Sequence, residues 1–349
     1  MEKNQEKSSN RYVNDLRRAS YYWGQVTTVR SNFLPISIAI IFIVLAGIYG
    51  SLSLEVASEE IVLLVAAAAI GGYMALNIGA NDVANNMGPA VGGKVLTIFS
   101  AVLIAAVFES AGALLAGGDV VKTVAKGIIT PGDQISLESF RYLMISALLA
   151  AALWINLATY LNAPVSTTHS IVGGVMGAGI AGAGFGLVNW FTMSKIAASW
   201  VISPVFGGLV AAGFLFFIKV KIINVPERKV AAIKWVPFLI GLMAAAFVAY
   251  MSIKGLKKIW KPDIFEICLF SLLGFFAAWR LSSPFIKKKA RSISDKKKDI
   301  YQLFNLPLIA GVSLLCFAHG ANDVANAVGP LAAIVSSFGP QDMVASKVS

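Results

Sequence analysis

Charge is scarce in this chain: 13% of its 349 residues are Asp, Glu, Lys or Arg, 57% are hydrophobic, and the mean hydropathy is +0.74. So little charge cannot cover the surface of a soluble globule of this length, and a water-soluble fold is excluded. Cysteine is nearly absent too. Cys268 and Cys316 both lie inside apolar runs, which supports neither a disulfide framework nor a thiolate metal site. No small-residue cleavage site follows the first apolar run, so that run reads as a retained helix rather than a signal peptide. The net charge of +11 comes without a basic face interleaved with stacking aromatics, and this argues against nucleic acid as a partner.

What the chain does have is apolar length. Runs at 33–51, 61–78, 95–117, 141–163, 170–188, 194–218, 230–252, 263–283 and 302–320 approach or exceed the roughly 20 residues that cross a hydrocarbon core. Lipid leaves no backbone group unpaired, so an all-α integral membrane protein is expected. Lys3, Lys7, Arg11, Arg17, Arg18 and Arg30 precede the first run and place the N-terminus in the cytoplasm, with the cell (inner) membrane as the location. Glu55, Glu59 and Glu60 suit an outside loop. The basic segments 219–234 and 287–298 fall after six and eight crossings, on the inside; Lys254, Lys257, Lys258 and Lys261 break the pattern and would lie outside. The expected organisation is a cytoplasmic arm (1–32), a first span with its outside loop (33–60), a first repeat with connecting helices (61–283), a basic linker that acts as a solvated topology anchor (284–301), and the start of a second repeat (302–349).

The repeat is explicit. GANDVANNMGP, Gly79 to Pro89, returns 241 positions later as GANDVANAVGP, Gly320 to Pro330, with 9 of 11 positions identical. By helix parity the two copies arrive from opposite sides of the membrane, which defines an inverted repeat. Each copy puts an acid at membrane depth, Asp82 and Asp323, where an ionisable group is a functional candidate by default. The bracketing glycines and prolines predict unwound backbone there, that is, broken helices at the midplane lining a cavity. Carboxylates and amides (Asn81, Asp82, Asn322 and Asp323, with Asn85 and Asn326 as further candidates) form a hard oxygen set suited to a small cation. Pairing of the acids with a neighbouring donor, for structure alone, is the simpler alternative.

A second constellation is APVSTTHS, Ala163 to Ser170. Pro164 ends one helix, and Ser166, Thr167 and Thr168 stand where the next begins, beside its free N–H groups and positive dipole end. Such a start binds oxyanions, although a plain capped start at the bilayer surface would use the same residues. Glu109 lies in an apolar run and must face the bundle interior. Whether it binds a cation, carries a proton or pairs with a base is left open by the sequence. His169 is a candidate beside the hydroxyls, whereas His319 reads as a hydrogen-bonded core residue.

At these residues the chain closely resembles the inorganic phosphate transporter (PiT) family, whose two repeats each carry a GANDVAN signature and a P-x-S-T-T-H segment. The likeness covers roughly Ile61 to Phe217 and Leu303 to Phe338, including FESAGALLAGG (Phe108 to Gly118) and KGII (Lys126 to Ile129). It implies secondary transport of phosphate coupled to sodium or protons, without an organic cofactor. The cation would sit near Asn81, Asp82, Asn322 and Asp323, and phosphate near Ser166, Thr167 and Thr168. The acid of the FES segment, Glu109, belongs to the same pattern. A carrier of another oxyanion such as sulfate is the nearer alternative. An intramembrane hydrolase using Ser166, His169 and Asp82 is the remote one, since no nucleophile-elbow motif is present. The expected partners are inorganic phosphate, the coupling ion and the bilayer, with homo-oligomers left open. A second hydroxyl segment would fall near residue 405, so the 349-residue chain is expected to be C-terminally incomplete.

Overall fold

The computed structural model describes residues 33–53, 58–118, 128–129, 135–255 and 261–338. The N-terminal arm, Glu55, Lys126, Lys257, Lys258 and the residues after Phe338 lie outside them. The described residues form helices α1 (Phe33–Ser53), α2 (Ser58–Gly92), α3 (Ile98–Ala116), α4 (Leu137–Tyr160), α5 (Thr167–Ala183), α6 (Trp190–Ile218), α7 (Arg228–Tyr250), α8 (Ile264–Arg291), the short α9 (Lys297–Ile300) and α10 (Asn305–Ser336). Each of the nine apolar runs has its helix. Seven helical segments are long and apolar enough to cross a membrane. The other two are α1, whose apolar part is Ile36–Leu52, and α5, whose 17 residues reach about 26 Å, short of a full crossing. The protein is an α-helical integral membrane protein.

Helix starts follow the side chains that can cap them. Thr97, Ser136, Ser166 and Asn189 each accept a backbone N–H of the first turn of α3, α4, α5 and α6, and Asp263 with Glu266 forms a reciprocal capping box on α8. Of the basic segment 284–301, residues up to Arg291 continue α8. Ile300 is buried with Leu303 against Ile222, Ile223, Ala232 and Val236, so this stretch is docked on the bundle rather than solvated throughout.

The two motif-bearing helices, α2 and α10, lie antiparallel. Glu60 at the start of α2 and Ser337 just past the end of α10 both bind Arg141: Nη1 donates to Glu60 Oε1 at 2.5 Å, and Nε and Nη2 donate to the Ser337 hydroxyl and carbonyl at 2.9 and 2.7 Å. Further along, Leu331 packs toward Gly71, and at the far end Leu308 packs toward Gly93. As the numbers rise on one helix they fall on the other, and the two motif copies meet between these points.

Unwound backbone, expected at the motif, is not found there. Both α2 and α10 stay helical through Pro89 and Pro330. Each proline removes one helix hydrogen bond, the one that would reach the carbonyl of Asn85 or Asn326, and the rest of the ladder persists. The interruption lies instead between α4 and α5. There Asn162 adopts a left-handed conformation (φ 56°), Ala163 N–H bonds Ala158 C=O at 2.8 Å, and Asn162 N–H bonds Thr159 C=O at 3.0 Å. This is a Schellman stop with Pro164 just beyond it.

Candidate functional site

The break between α4 and α5 is held open by the first motif copy. Buried Asn81 donates from Nδ2 to the Thr159 hydroxyl (2.9 Å) and the Ala163 carbonyl (3.3 Å), while its Oδ1 accepts the Val165 N–H (3.1 Å). Both ends of its amide are therefore used on the connection. Asn81 fixes where α5 begins, and α5 begins at the hydroxyls: Ser166 Oγ accepts the His169 N–H at 3.2 Å as N-cap, leaving the N–H groups of Thr167 and Thr168 without an acceptor one turn back.

Thr167 is the junction of the site. The residue is 1% exposed, and its hydroxyl lies 3.0 Å from Asp82 Oδ2 and 2.6 Å from Asp323 Oδ2, one acid from each motif copy. Asn326, from the second copy, donates to the Thr167 hydroxyl at 3.2 Å and to that of Thr168 at 3.0 Å. Asn322 donates to Asp323 Oδ1 at 2.9 Å. Residues 241 apart in sequence are thus gathered on one side chain.

A third acid reaches the cluster across a helix crossing that glycine makes possible. A Cβ at Gly112 of α3 would run into the Phe317 carbonyl of α10, and one at Gly320 would run into the Glu109 backbone. With neither present, the two backbones touch. That contact sets Glu109 3.3 Å from His319 Nδ1, although without hydrogen-bonding geometry, and lets Asn86 Nδ2 donate to Glu109 Oε1 at 3.0 Å. His319 Nε2 lies 3.3 Å from Asp323 Oδ2 and 3.4 Å from Asp82 Oδ2, so one imidazole faces three carboxylates. Ligand atoms of Asp82, His319 and Asp323 fall within 4.8 Å of one another. A cavity of about 390 Å³ opens onto this cluster, lined by Asp82, Asn85, Asn86, His319 and Asp323 on one side and Pro164 to Thr168 on the other.

The candidates named from sequence divide accordingly. Asp82, Asp323, Asn85, Ser166, Thr167 and Thr168 line the cavity. Asn326 and Glu109 stand behind them, Asn81 is spent on the α4–α5 connection, and Asn322 is exposed apart from its bond to Asp323. His169 lies elsewhere: its ring packs on Trp200 at 4.0 Å between centroids, and with the Ser166 hydroxyl bonded to the His169 backbone no Ser–His–Asp relay forms among these residues. His319 and Asn86 are the residues that sequence reasoning passed over. The signal for His319 was its spacing, four residues before Asp323 on one helix face, in a position that holds Ile78 in the first copy.

These features define a polytopic helical membrane protein with an acidic, hydroxyl-lined cavity among its spans. Residues 78–348 match the model of the phosphate transporter family, and the chain belongs to that family. It is similar to proteins named "Putative phosphate permease": 47% identical over 315 residues to one from Helicobacter pylori strain J99, covering 88% of this chain and 57% of the relative. One from Thermococcus kodakarensis is 40% identical over 273 residues, covering 76% and 64%. The chain thus spans somewhat over half the length of the first of these. A solved structure titled "The sodium-dependent phosphate transporter" is 36% identical with a TM-score of 0.74, covering 82% of this chain and 68% of that one.

Proposed function

We propose that the protein carries inorganic phosphate across the membrane together with a sodium ion, on an inverted-repeat scaffold divided at the basic segment 284–301. The name of the similar solved structure favours sodium over a proton. The observation that carries the reading is the position of Thr167, at the start of α5 and between the two motif acids. In this arrangement the cation end is Asp82 and Asp323, and the phosphate end is the Ser166 hydroxyl with the free N–H groups of Thr167 and Thr168. The acids give the coupling its physical reason. A carboxylate about 4 Å from a phosphate charge repels it by about 4 kcal/mol at an effective dielectric of 20, so the anion is excluded until a cation neutralises the cluster. The antiparallel α2 and α10 supply the two-sided geometry that alternating access needs. The same reading puts the protein in the cell membrane with a cytoplasmic N-terminus.

The test is phosphate binding to the purified protein in sodium against potassium, with sulfate as competitor, and uptake into proteoliposomes under sodium and proton gradients imposed separately. Binding should require sodium. Thr167→Val should weaken sodium and phosphate dependence together by about tenfold or more, as loss of a hydrogen bond to a charged group does. Sodium-independent binding that the variant leaves unchanged would falsify the reading.

A further inference from the structure

The end of α8 holds a cavity that the transport site does not use. Along this helix Ser282, Ile286 and Ala290, four residues apart, are buried, with Ile286 and Ala290 packed into the same cluster as Ile222 and Val236. The opposite stripe, Leu281, Phe285, Lys288 and Ser292, is exposed and changes from apolar to basic where the span ends at Arg291. Phe285, Lys288, Lys289, Arg291 and Ser292 wall a cavity of about 490 Å³.

Its cations are unspent. Among the described residues Lys287, Lys288, Lys289, Arg291, Lys296, Lys297 and Lys298 make no ion pair. The two acids among them are engaged otherwise: Asp295 accepts the Lys229 N–H at 2.6 Å, and Asp299 accepts the Ser294 hydroxyl. Like charges crowded at a helix end, beside an exposed apolar stripe at the membrane boundary, ask for a ligand that is anionic at one end and apolar at the other.

We propose that this cavity binds the headgroup of an anionic phospholipid, with its phosphate among Lys288, Lys289 and Arg291 and an acyl chain along Phe285 and Leu281. A free anion would meet the charges but leave the stripe uncovered, whereas a bilayer lipid meets both.

The test is native mass spectrometry of the detergent-purified protein titrated with phosphatidylglycerol or with phosphatidylcholine, on the wild type, on the triple variant Lys288→Gln/Lys289→Gln/Arg291→Gln, and on Lys195→Gln as a distant control. Each charge near an anionic headgroup contributes about fivefold, so the triple variant should lose retained phosphatidylglycerol by on the order of a hundredfold while Lys195→Gln keeps it. The wild type should prefer phosphatidylglycerol to phosphatidylcholine. Equal retention by wild type and triple variant overturns the proposal. So does displacement of the lipid by millimolar inorganic phosphate, which would mark a free-anion site. If the triple variant fails to fold, Lys288→Gln and Lys289→Gln singly, each about fivefold weaker, decide the matter against charge-keeping Lys288→Arg.

Discussion

The two motif copies share 9 of 11 residues and almost none of their tasks. In the first, Asn81 is buried and clasps the α4–α5 connection, while Asn85 is exposed to the cavity. In the second the pattern is reversed: Asn322 is exposed, and Asn326, buried, steadies Thr167 and Thr168. Gly79 has open space where a side chain would be, whereas Gly320 lies on the backbone of Glu109. Only the acids coincide in role, since Asp82 and Asp323 meet on one hydroxyl. A motif therefore specifies a set of donors and acceptors, and the helices packed around it decide which of them are scaffold and which are offered to a ligand.

The sharpest break in this asymmetry is expected at the glycines. Gly320→Ala should push α3 from α10 and destabilise the protein by about 1–3 kcal/mol or more, because backbone cannot yield as a flexible side chain does. Gly79→Ala meets nothing and should be neutral or gain up to about 1 kcal/mol from helix propensity. Thermal unfolding in detergent measures both, and equal effects would mean that the α3–α10 crossing is not as close as described. Next come the clasping amides. Asn81→Ala strands the Val165 N–H and the Ala163 carbonyl and should cost about 1–3 kcal/mol, whereas exposed Asn322→Ala loses only its bond to Asp323 and should cost no more than about 1 kcal/mol. A larger loss at Asn322 would reverse the assignment of scaffold and ligand. The smallest difference is expected between the acids. Asp323 accepts from Asn322 and faces the Thr167 hydroxyl and His319, whereas Asp82 faces only the last two. Asp323→Asn should thus lower stability slightly more than Asp82→Asn, by roughly one hydrogen bond or about 1 kcal/mol, while both reduce sodium-dependent phosphate binding. Normal sodium dependence in either variant would leave that acid a structural role.

Much of this architecture could be read along the chain because its signals are local. Apolar length marks every long helix, though not the short α9, and Asn162 with Pro164 spells out the stop before the hydroxyls. The pairings across 241 residues were of another kind. Nothing near Asn81 announces that its amide will be consumed by Val165 and Ala163, and nothing near His319 shows that Glu109 approaches over two glycines. The expected unwinding failed for a similar reason. Gly and Pro mark where a helix can break, but whether it does depends on packing, and here α2 and α10 are each supported along their length by the other.

Thr167 carries one further consequence. A hydroxyl owns a single hydrogen, yet this one touches two carboxylate oxygens and already accepts from Asn326. With both acids ionised, one of the two contacts sets lone pair against lone pair, and a bound positive charge relieves it. If sodium binds there as proposed, ion occupancy and folding become a single equilibrium: each tenfold rise in sodium above its dissociation constant would add about 1.4 kcal/mol to the folded state. The ion that is proposed to drive transport would also be part of what keeps α2, α5 and α10 together.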